Sequence, residues 1–552
     1  MKRFLKVAFC FLMILVSTPV LSYPETSTGG SLNSEVLSKI QRSFEMDNRT
    51  KTILNALTNN EIKNLAVNRE IVVAHNDLFN HRIKTKGITN QKNSGRCWLF
   101  AGLNIMRPLV IDKLKLNDFE FSQNYLFFWD KTEKANTFLE NVISTRDRDL
   151  LDREVVLILS DPFPDGGYWS YVVDLINKYG AIPKAVMPET QNSSNTGMMD
   201  NLIARKLRQD ATVLREMSKK GAQINELRER KVEMLKEIYH MLVLNLGMPP
   251  TEFQWRYEDR DTVVSQLKTY TPQTFFKEVV GVDLNDYVSL VNSPNHPYNQ
   301  FYEIRRTRNL YDSPDVTFIN LDMKQLREFA LLSVLKDEPV WFGCDVGKDQ
   351  DGEKGIMAPD IYDYQSLYGV DLHLTKSDRL LYRESSANHA MVFVGVDTLN
   401  SQPTKWLVEN SWGDEKGNKG YWTMYDKWFD EYVYEVIINK KYLPQNVLDI
   451  LKTCRAAEVD YIISGIPFSF LSLRTKVRIL KSAHSALKEG GKFLAYQHFF
   501  QFPEFLKIPL ERIFHNVSSQ YILQAIPPLV LFEAVKSNGN SGGNHHPKNT
   551  AI

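Results

Sequence analysis

Gln91-Lys-Asn-Ser-Gly-Arg-Cys97-Trp98-Leu-Phe-Ala101 runs from a Gly-containing loop into an apolar stretch with helical spacing, and Cys97 stands at the junction. A helix N-terminus carries partial positive charge and unpaired N–H groups. Both favour thiolate over thiol, so a cysteine there is predicted to have a lowered pKa and to act as a nucleophile. Gln91 lies six residues earlier, and its amide NH2 can donate to an oxyanion together with the Cys97 backbone N–H. Taken alone, a cysteine beside Trp98 and Leu99 reads better as a buried core thiol.

Two distant segments change that weighting. Asn388-His389-Ala-Met-Val-Phe-Val-Gly-Val396 and Lys405-Trp-Leu-Val-Glu-Asn410-Ser-Trp412-Gly413 both read as strands, with 398–404 as a turn. Folded as an antiparallel hairpin, they place His389 opposite Asn410 at its open end, since paired numbers then sum to about 800. Cross-strand neighbours lie ~5 Å apart, within reach for these side chains. The Asn carbonyl can accept from one imidazole nitrogen and leave the other facing a thiol. A core histidine paired with a structural asparagine fits this pair equally well when it is seen alone.

The rest of the chain sets bounds. Its 552 residues suffice for two to four domain-sized units. With 43% hydrophobic and 24% charged residues it has the composition of a folded protein. A net charge of +1 argues against a strongly basic nucleic-acid binder and an acidic solvating chain. Four cysteines exclude a disulfide-stapled mini-domain and a Cys-rich zinc array. Residues 1–22 read as a secretory signal, with Lys2, Arg3 and Lys6 before the apolar run Val7–Val16 and cleavage before Tyr23. That run is half the ~20 residues a membrane span needs, and no later stretch is long enough. An exported protein, periplasmic or secreted, is expected. Cleavage would remove Cys10 and leave Cys97, Cys344 and Cys454, an odd number that suggests one thiol kept free. Residues 200–247 are helical with charge of mixed sign, as in a solvated subdomain. From about 316, short apolar runs signal strands. Pro108 is expected to interrupt the helix over 97–115. Residues 537–552 read as a disordered tail, in which His545-His546 is better read as solvated than as a metal site.

The three segments together resemble the Cys-His-Asn site of papain-like cysteine peptidases, and more closely the bleomycin hydrolase and aminopeptidase C branch. Further stretches carry the likeness: Asp165-Gly-Gly-Tyr-Trp, Lys178-Tyr-Gly-Ala-Ile-Pro-Lys184, Met187-Pro-Glu189, Leu246-Gly-Met-Pro-Pro250, Pro339-Val-Trp-Phe-Gly-Cys-Asp345, and Glu409-Asn-Ser-Trp-Gly413 through to Tyr434. The resemblance covers about 33–451. It implies an α+β, papain-like fold of a helical domain and a β-rich domain, spanning 23–451, with a helical insertion at about 140–310. Cys97 is then the nucleophile, His389 the general base and acid, Asn410 its orienter, and Gln91 part of the oxyanion hole. Trp412 is expected to cover the His–Asn hydrogen bond or simply to pack there, and Cys344 to be structural. No metal or organic cofactor is implied. The expected partners are peptide substrates with a free amino end, and further copies of the chain in a homohexameric ring. In that branch a C-terminal arm enters the cleft, and its carboxylate meets the substrate's amino group.

Past Lys441-Tyr-Leu-Pro444 the chain diverges. Strands at 459–469, 492–497 and 525–535, and an amphipathic helix over 476–487 ended by Glu489-Gly-Gly491, resemble the C-terminal half of a Rossmann-like methyltransferase, such as a phospholipid N-methyltransferase. No Gly-rich strand-to-helix loop precedes Val459. Residues 452–536 are therefore expected to be a partial α/β fragment without methyl-transfer activity. The leading reading is a thiol peptidase mainly releasing N-terminal amino acids, with the amino-end restriction expected to be weakened because the added residues displace the terminal carboxylate. Two others stay open: a related amidase, and a binding protein on an inactive fold.

Overall fold

The computed structural model describes residues 30–454, 459–464, 468, 471–498, 504–514, 516–522 and 528–536. The leader read over 1–22 and the tail read over 537–552 lie outside the described residues. The chain divides into two compact units. The smaller contains the helices Ser34–Arg42, Asn48–Asn59, Ile62–Ala66 and Tyr364–Tyr368. Asn33 and Asp47 cap the first two, each side chain accepting from a backbone N–H of the first turn.

The larger unit is built around one long helix and one sheet. Helix α1 (Cys97–Lys113) is buried on nearly all sides from Trp98 to Ile111. It passes through Pro108 without a break, contrary to the expected interruption. A helix enclosed this fully recovers in packing what the missing hydrogen bond costs. Helix α2 (Gln123–Ser144) carries α3 (Trp169–Tyr179) and the charged pair α4 (Gly197–Lys219) and α5 (Ile224–Leu246). The helical reading of 200–247 holds, as two helices parted at Gly221.

The sheet uses β1 (Tyr287–Val291), β2 (Gln300–Ile304), β3 (Val316–Asn320), β4 (Val340–Cys344), β5 (His389–Leu399), β6 (Gln402–Glu409), β7 (Tyr421–Tyr425) and β8 (Val433–Asn439), in the order β2-β3-β1-β8-β4-β5-β6-β7. Strands thus begin before 316, and β1 and β2 fall inside the expected helical insertion. Their signal is weak because β1 alternates buried and half-buried positions and β2 is an outer strand with exposed polar residues. Strand β5 is apolar on both faces because both are covered. Ala390, Val392 and Val394 face the helices, while Met391, Phe393 and Val396 face a second core with Trp406 and Phe429. The alternation changes phase at the irregularity between Phe393 and Gly395, the expected effect of a bulge.

The β5–β6 hairpin forms, but its turn is only Asn400-Ser401, both with positive φ. Val392 pairs with Glu409 and Asp397 with Lys405, so the register sums to 801–802 rather than 800.

Beyond the helix Gln445–Cys454 lies a separate four-stranded sheet with its own core, including Phe468, Leu480, Phe493 and Phe532. It consists of β9 (Val459–Ser464), α6 (Leu473–Ala486), β10 (Leu487–His498), α7 (Glu504–Glu511), β11 (Asn516–Ile522) and β12 (Leu529–Val535), in the order β9-β10-β12-β11. β9 and β10 are parallel, and β12 is antiparallel to both of its neighbours. The expected helix and strands are present, whereas α7 and β11 were not legible. Glu489-Gly-Gly491 lies inside β10 rather than ending α6, with Gly490 at φ +77°.

Candidate active site

Cys97 is the first residue of α1, and α1 packs on β5. Its half-buried thiol meets the backbone N–H of Ala390, the residue after His389, as well as those of Trp98 and Cys97 itself. His389 opens β5 and pairs across the sheet with Cys344 of β4, not with β6. Its Nε2 nevertheless lies 3.0 Å from Asn410 Oδ1. In the observed register the position opposite His389 is 412, so Asn410 is its diagonal neighbour. A two-residue offset preserves the face, which is why the approximate hairpin argument still paired the correct side chains. The Trp412 ring lies over the imidazole, with centroids 4.8 Å apart and planes inclined at 35°. Asn410 Oδ1 also accepts from the Ser411 N–H at 2.8 Å.

Gln91 is buried in the loop before α1. Its Oε1 accepts from Ser411 Oγ at 2.7 Å, and its Nε2 donates one hydrogen to Ser94 O at 2.6 Å. The Gln91 N–H donates to Ser411 O. The oxyanion candidate is thereby tied to the residue that follows Asn410. Two more links join the nucleophile's helix to the sheet. Arg107 of α1 pairs with Glu409 of β6 at 2.7 Å, both fully buried, and Trp341 of β4 donates Nε1–H to the Trp98 carbonyl at 3.1 Å. All four residues named from the sequence therefore occupy one connected arrangement.

The supporting residues were not singled out for roles. Arg96, completely buried beside Cys97, forms a bidentate pair with Glu189 at 2.8 and 3.1 Å and lies over the Phe100 and Phe127 rings. Asp165 Oδ2 accepts from the Gly95 N–H at 2.9 Å and from Thr196 Oγ, and its Oδ1 pairs with buried Lys131 at 2.8 Å. Gly167 is required because a Cβ there would sit 2.6 Å from the Trp98 ring. The signal available for them was that Arg96, Asp165, Gly167 and Glu189 all lie in stretches that carry the family likeness.

The electrostatics correct one expectation. Burial pushes the Cys97 thiol up to about 11, although three backbone N–H groups oppose this. Burial likewise pulls His389 down to about 4, against the Asn410 hydrogen bond. Desolvation outweighs the helix N-terminus, and each group taken singly is neutral at pH 7. An ion pair between them relies on their mutual attraction. Cys344 is fully buried, and burial raises its thiol further, in keeping with the structural part expected of it.

Comparisons with known proteins agree with this arrangement. Aminopeptidase C of Streptococcus thermophilus is 40% identical over 416 residues, covering 75% of this chain and 94% of that one. Aminopeptidase C of Lactobacillus delbrueckii subsp. lactis is 41% identical over 395 residues, covering 71% and 88%. The crystal structure of PepW from Lactobacillus rhamnosis HN001 superposes with a TM-score of 0.75 at 41% identity, covering 77% of this chain and 96% of that one. Residues 31–460 match the Peptidase C1-like family, so the β9–β12 unit lies almost wholly beyond the match. A cysteine at a helix start facing a His–Asn pair, on a papain-like fold shared over that length, makes this chain a member of the Peptidase C1-like family.

Proposed function

We propose that this chain is a cysteine aminopeptidase that hydrolyses peptide bonds through Cys97, His389 and Asn410. The observation that carries this reading is the Asn410–His389 hydrogen bond on a strand whose next N–H meets the Cys97 thiol. His389 Nε2 is engaged by Asn410, leaving Nδ1 to exchange a proton with the thiol. Cys97 Sγ attacks the carbonyl carbon as its proton passes to His389. The oxyanion receives the Cys97 N–H and the second Nε2 hydrogen of Gln91. Collapse of the tetrahedral intermediate expels the amine, which takes the proton from His389. Water, deprotonated by His389, then attacks the thioester carbonyl, and collapse releases the acid and expels the Cys97 sulfur, which takes that proton back from His389. No step calls for a metal. Aminopeptidase C as the name of two relatives supports amino-end specificity.

We also take residues 452–536 to be half of a doubly wound methyltransferase-like unit without transfer activity. A parallel β9-α6-β10 pair, with the last strand inserted antiparallel between β10 and β11, supports this. A cofactor site at a strand-order reversal needs the absent half. Binding of S-adenosylmethionine in a calorimeter would overturn it. Export after cleavage before Tyr23 and assembly into a hexamer follow the leader's pattern and the family likeness. N-terminal mass mapping of the native protein and light scattering test them.

The decisive assay compares an aminoacyl fluorogenic amide with its N-blocked peptide counterpart under reducing conditions. Hydrolysis of the free-amine substrate is expected, reduced at least ~10³-fold in Cys97→Ala. Equal hydrolysis by Cys97→Ala would remove the reading. Cleavage of the blocked peptide as well would mean that the continuing C-terminus has relaxed the amino-end restriction.

A further inference from the structure

Beneath the cysteine loop lies a group of buried charges that does not balance. Lys131 and Lys134 of α2 meet Asp130 of the same helix, Asp165 of the 163–167 segment and Asp200 in the first turn of α4. Lys134 is closed by Asp130 at 2.7 Å and by the Pro164 and Gly166 carbonyls. Lys131, fully buried, is left with two carboxylates, Asp165 Oδ1 at 2.8 Å and Asp200 Oδ1 at 3.0 Å. Arg96, on the cysteine loop itself, is matched by Glu189. Among the described residues no further cation stands within ion-pair distance of Asp165 or Asp200. An unmatched charge in a dry interior is neutralised by a proton rather than kept, and two carboxylates on one ammonium meet that condition by holding one between them.

The surrounding donors decide which of the two carries it. Asp165 Oδ2 already accepts from the Gly95 N–H and from Thr196 Oγ. Against burial, Lys131 and the hydrogen bonds from Asp200 and Thr196 hold Asp165 well below the usual carboxylate range. Burial pushes Asp200 up to about 7, and the Asp165 charge adds to this over the pull of Lys131. Neither Oδ1 atom receives an aligned hydrogen bond among the described residues, so both are free to share a proton.

Asp165 links this cluster to the nucleophile. The Gly95 N–H donates to its side chain two residues before Cys97, and Trp98 Nε1–H donates to its carbonyl at 2.8 Å. The packing is close, since a Cβ on Gly95 would lie 2.6 Å from Asp165 Cβ. The approach to α4 holds the same loop: the Asn93 N–H donates to Ser194 O, and the Thr196 N–H to Asn93 O. After burial, the Asp165 charge also opposes ionisation of the Cys97 thiol. A charge gained at Asp200 therefore acts on the thiol both through these contacts and through space.

We propose that Asp200 is a positioning residue: it holds one proton against Asp165, keeps the cluster neutral around Lys131, and so fixes the loop that presents Cys97. Loss of that proton to solvent leaves two carboxylates on one ammonium, drives them apart and raises the energy of the thiolate. The inference rests on Cys97 being the reactive thiol of the proposed function, and its test needs no turnover. Alkylation by iodoacetamide is timed between about pH 5.5 and 8.5 in wild type and in Asp200→Asn, with the Cys97→Ala background subtracted. The amide can donate a hydrogen to Asp165 but cannot ionise. Titration of the thiol, of His389 and of Glu435, which burial also raises to about 7, is common to both proteins and drops out of their rate ratio. The ratio of wild type to variant is expected to be flat in acid and to fall about threefold as pH passes through 7. Asp200→Ser, which places a hydroxyl there instead, should show the same step and gives a second reading if the amide disturbs folding. A merely structural part for Asp200 would give a constant offset at every pH. A ratio independent of pH, in variants with the wild-type melting curve, overturns the proposal. The step persisting while the decisive assay shows no hydrolysis would count against the peptidase reading alone.

Discussion

Asn410 stands between two demands, holding the His389 Nε2 side and accepting the Ser411 N–H with the same oxygen. Asn410→Ala should lower kcat about 10- to 100-fold with little change in KM, because the imidazole loses its orienter while the cleft stays intact. Steady-state kinetics of the folded variant check this. Acylation by a neutral activated ester should show an acid limb near pH 4, where His389 gains its proton and can no longer take one from Cys97. It should persist toward the pH of about 11 at which the thiol itself titrates. Glu435 gives a separate signature. Its pKa of about 7 lies above the ordinary 4.5, raised first by burial. The stabilisation from that raised value is complete below pH 4.5 and is lost as pH climbs through 7. Melting curves of wild type and Glu435→Gln should therefore agree best near pH 4, with the variant gaining relative stability by pH 8.

At the scale of elements, the loop over 91–96 and the start of α1 are held by charge rather than by regular structure. The Arg96–Glu189 and Asp165–Lys131 pairs lie under the loop, and removing one partner strands the other in a dry interior. Glu189→Ala should cost about 3 kcal/mol of stability in denaturant titration and slow Cys97 alkylation as the loop loosens. A mutant with unchanged midpoint would show the pair to be dispensable. The strand runs and the paired charged helices were legible because apolar periodicity survives in them. The register of β5 on β6 was not, since a bulge and a two-residue turn depend on backbone geometry that alternation does not encode. Nor was the passage of α1 through Pro108, where enclosure by neighbouring elements outweighs a local penalty.

At the scale of the molecule, the chain continues past the family match at residue 460 into a unit with its own core. Leu448, Ile450 and Leu451 pack on the sheet core, so a truncation must keep them. A chain ended at 458 should keep its melting transition for the peptidase unit. If the extra strands obstruct the cleft or an assembly chamber, its kcat/KM for a free-amine substrate should exceed that of the full chain several-fold. Equal values would remove obstruction as an effect of the C-terminal unit. No described helix is long and apolar enough to cross a membrane.

The residues that meet in the candidate site could be named from the chain, although each pattern alone had a packing alternative, because the three segments occur together with the further stretches that carry the family likeness. The protonation of the pair could not. A helix N-terminus argues for a low thiol pKa, and only the packing of α1 against β5 shows that desolvation exceeds it. Glu435 was silent for the same reason. On β8 it is one polar residue in an apolar run, and only the fold shows it buried, with Ser289 as its hydrogen-bond partner. Sequence carries identity and period, whereas burial and cross-strand neighbours, which set charge and reach, exist only once distant segments are folded together.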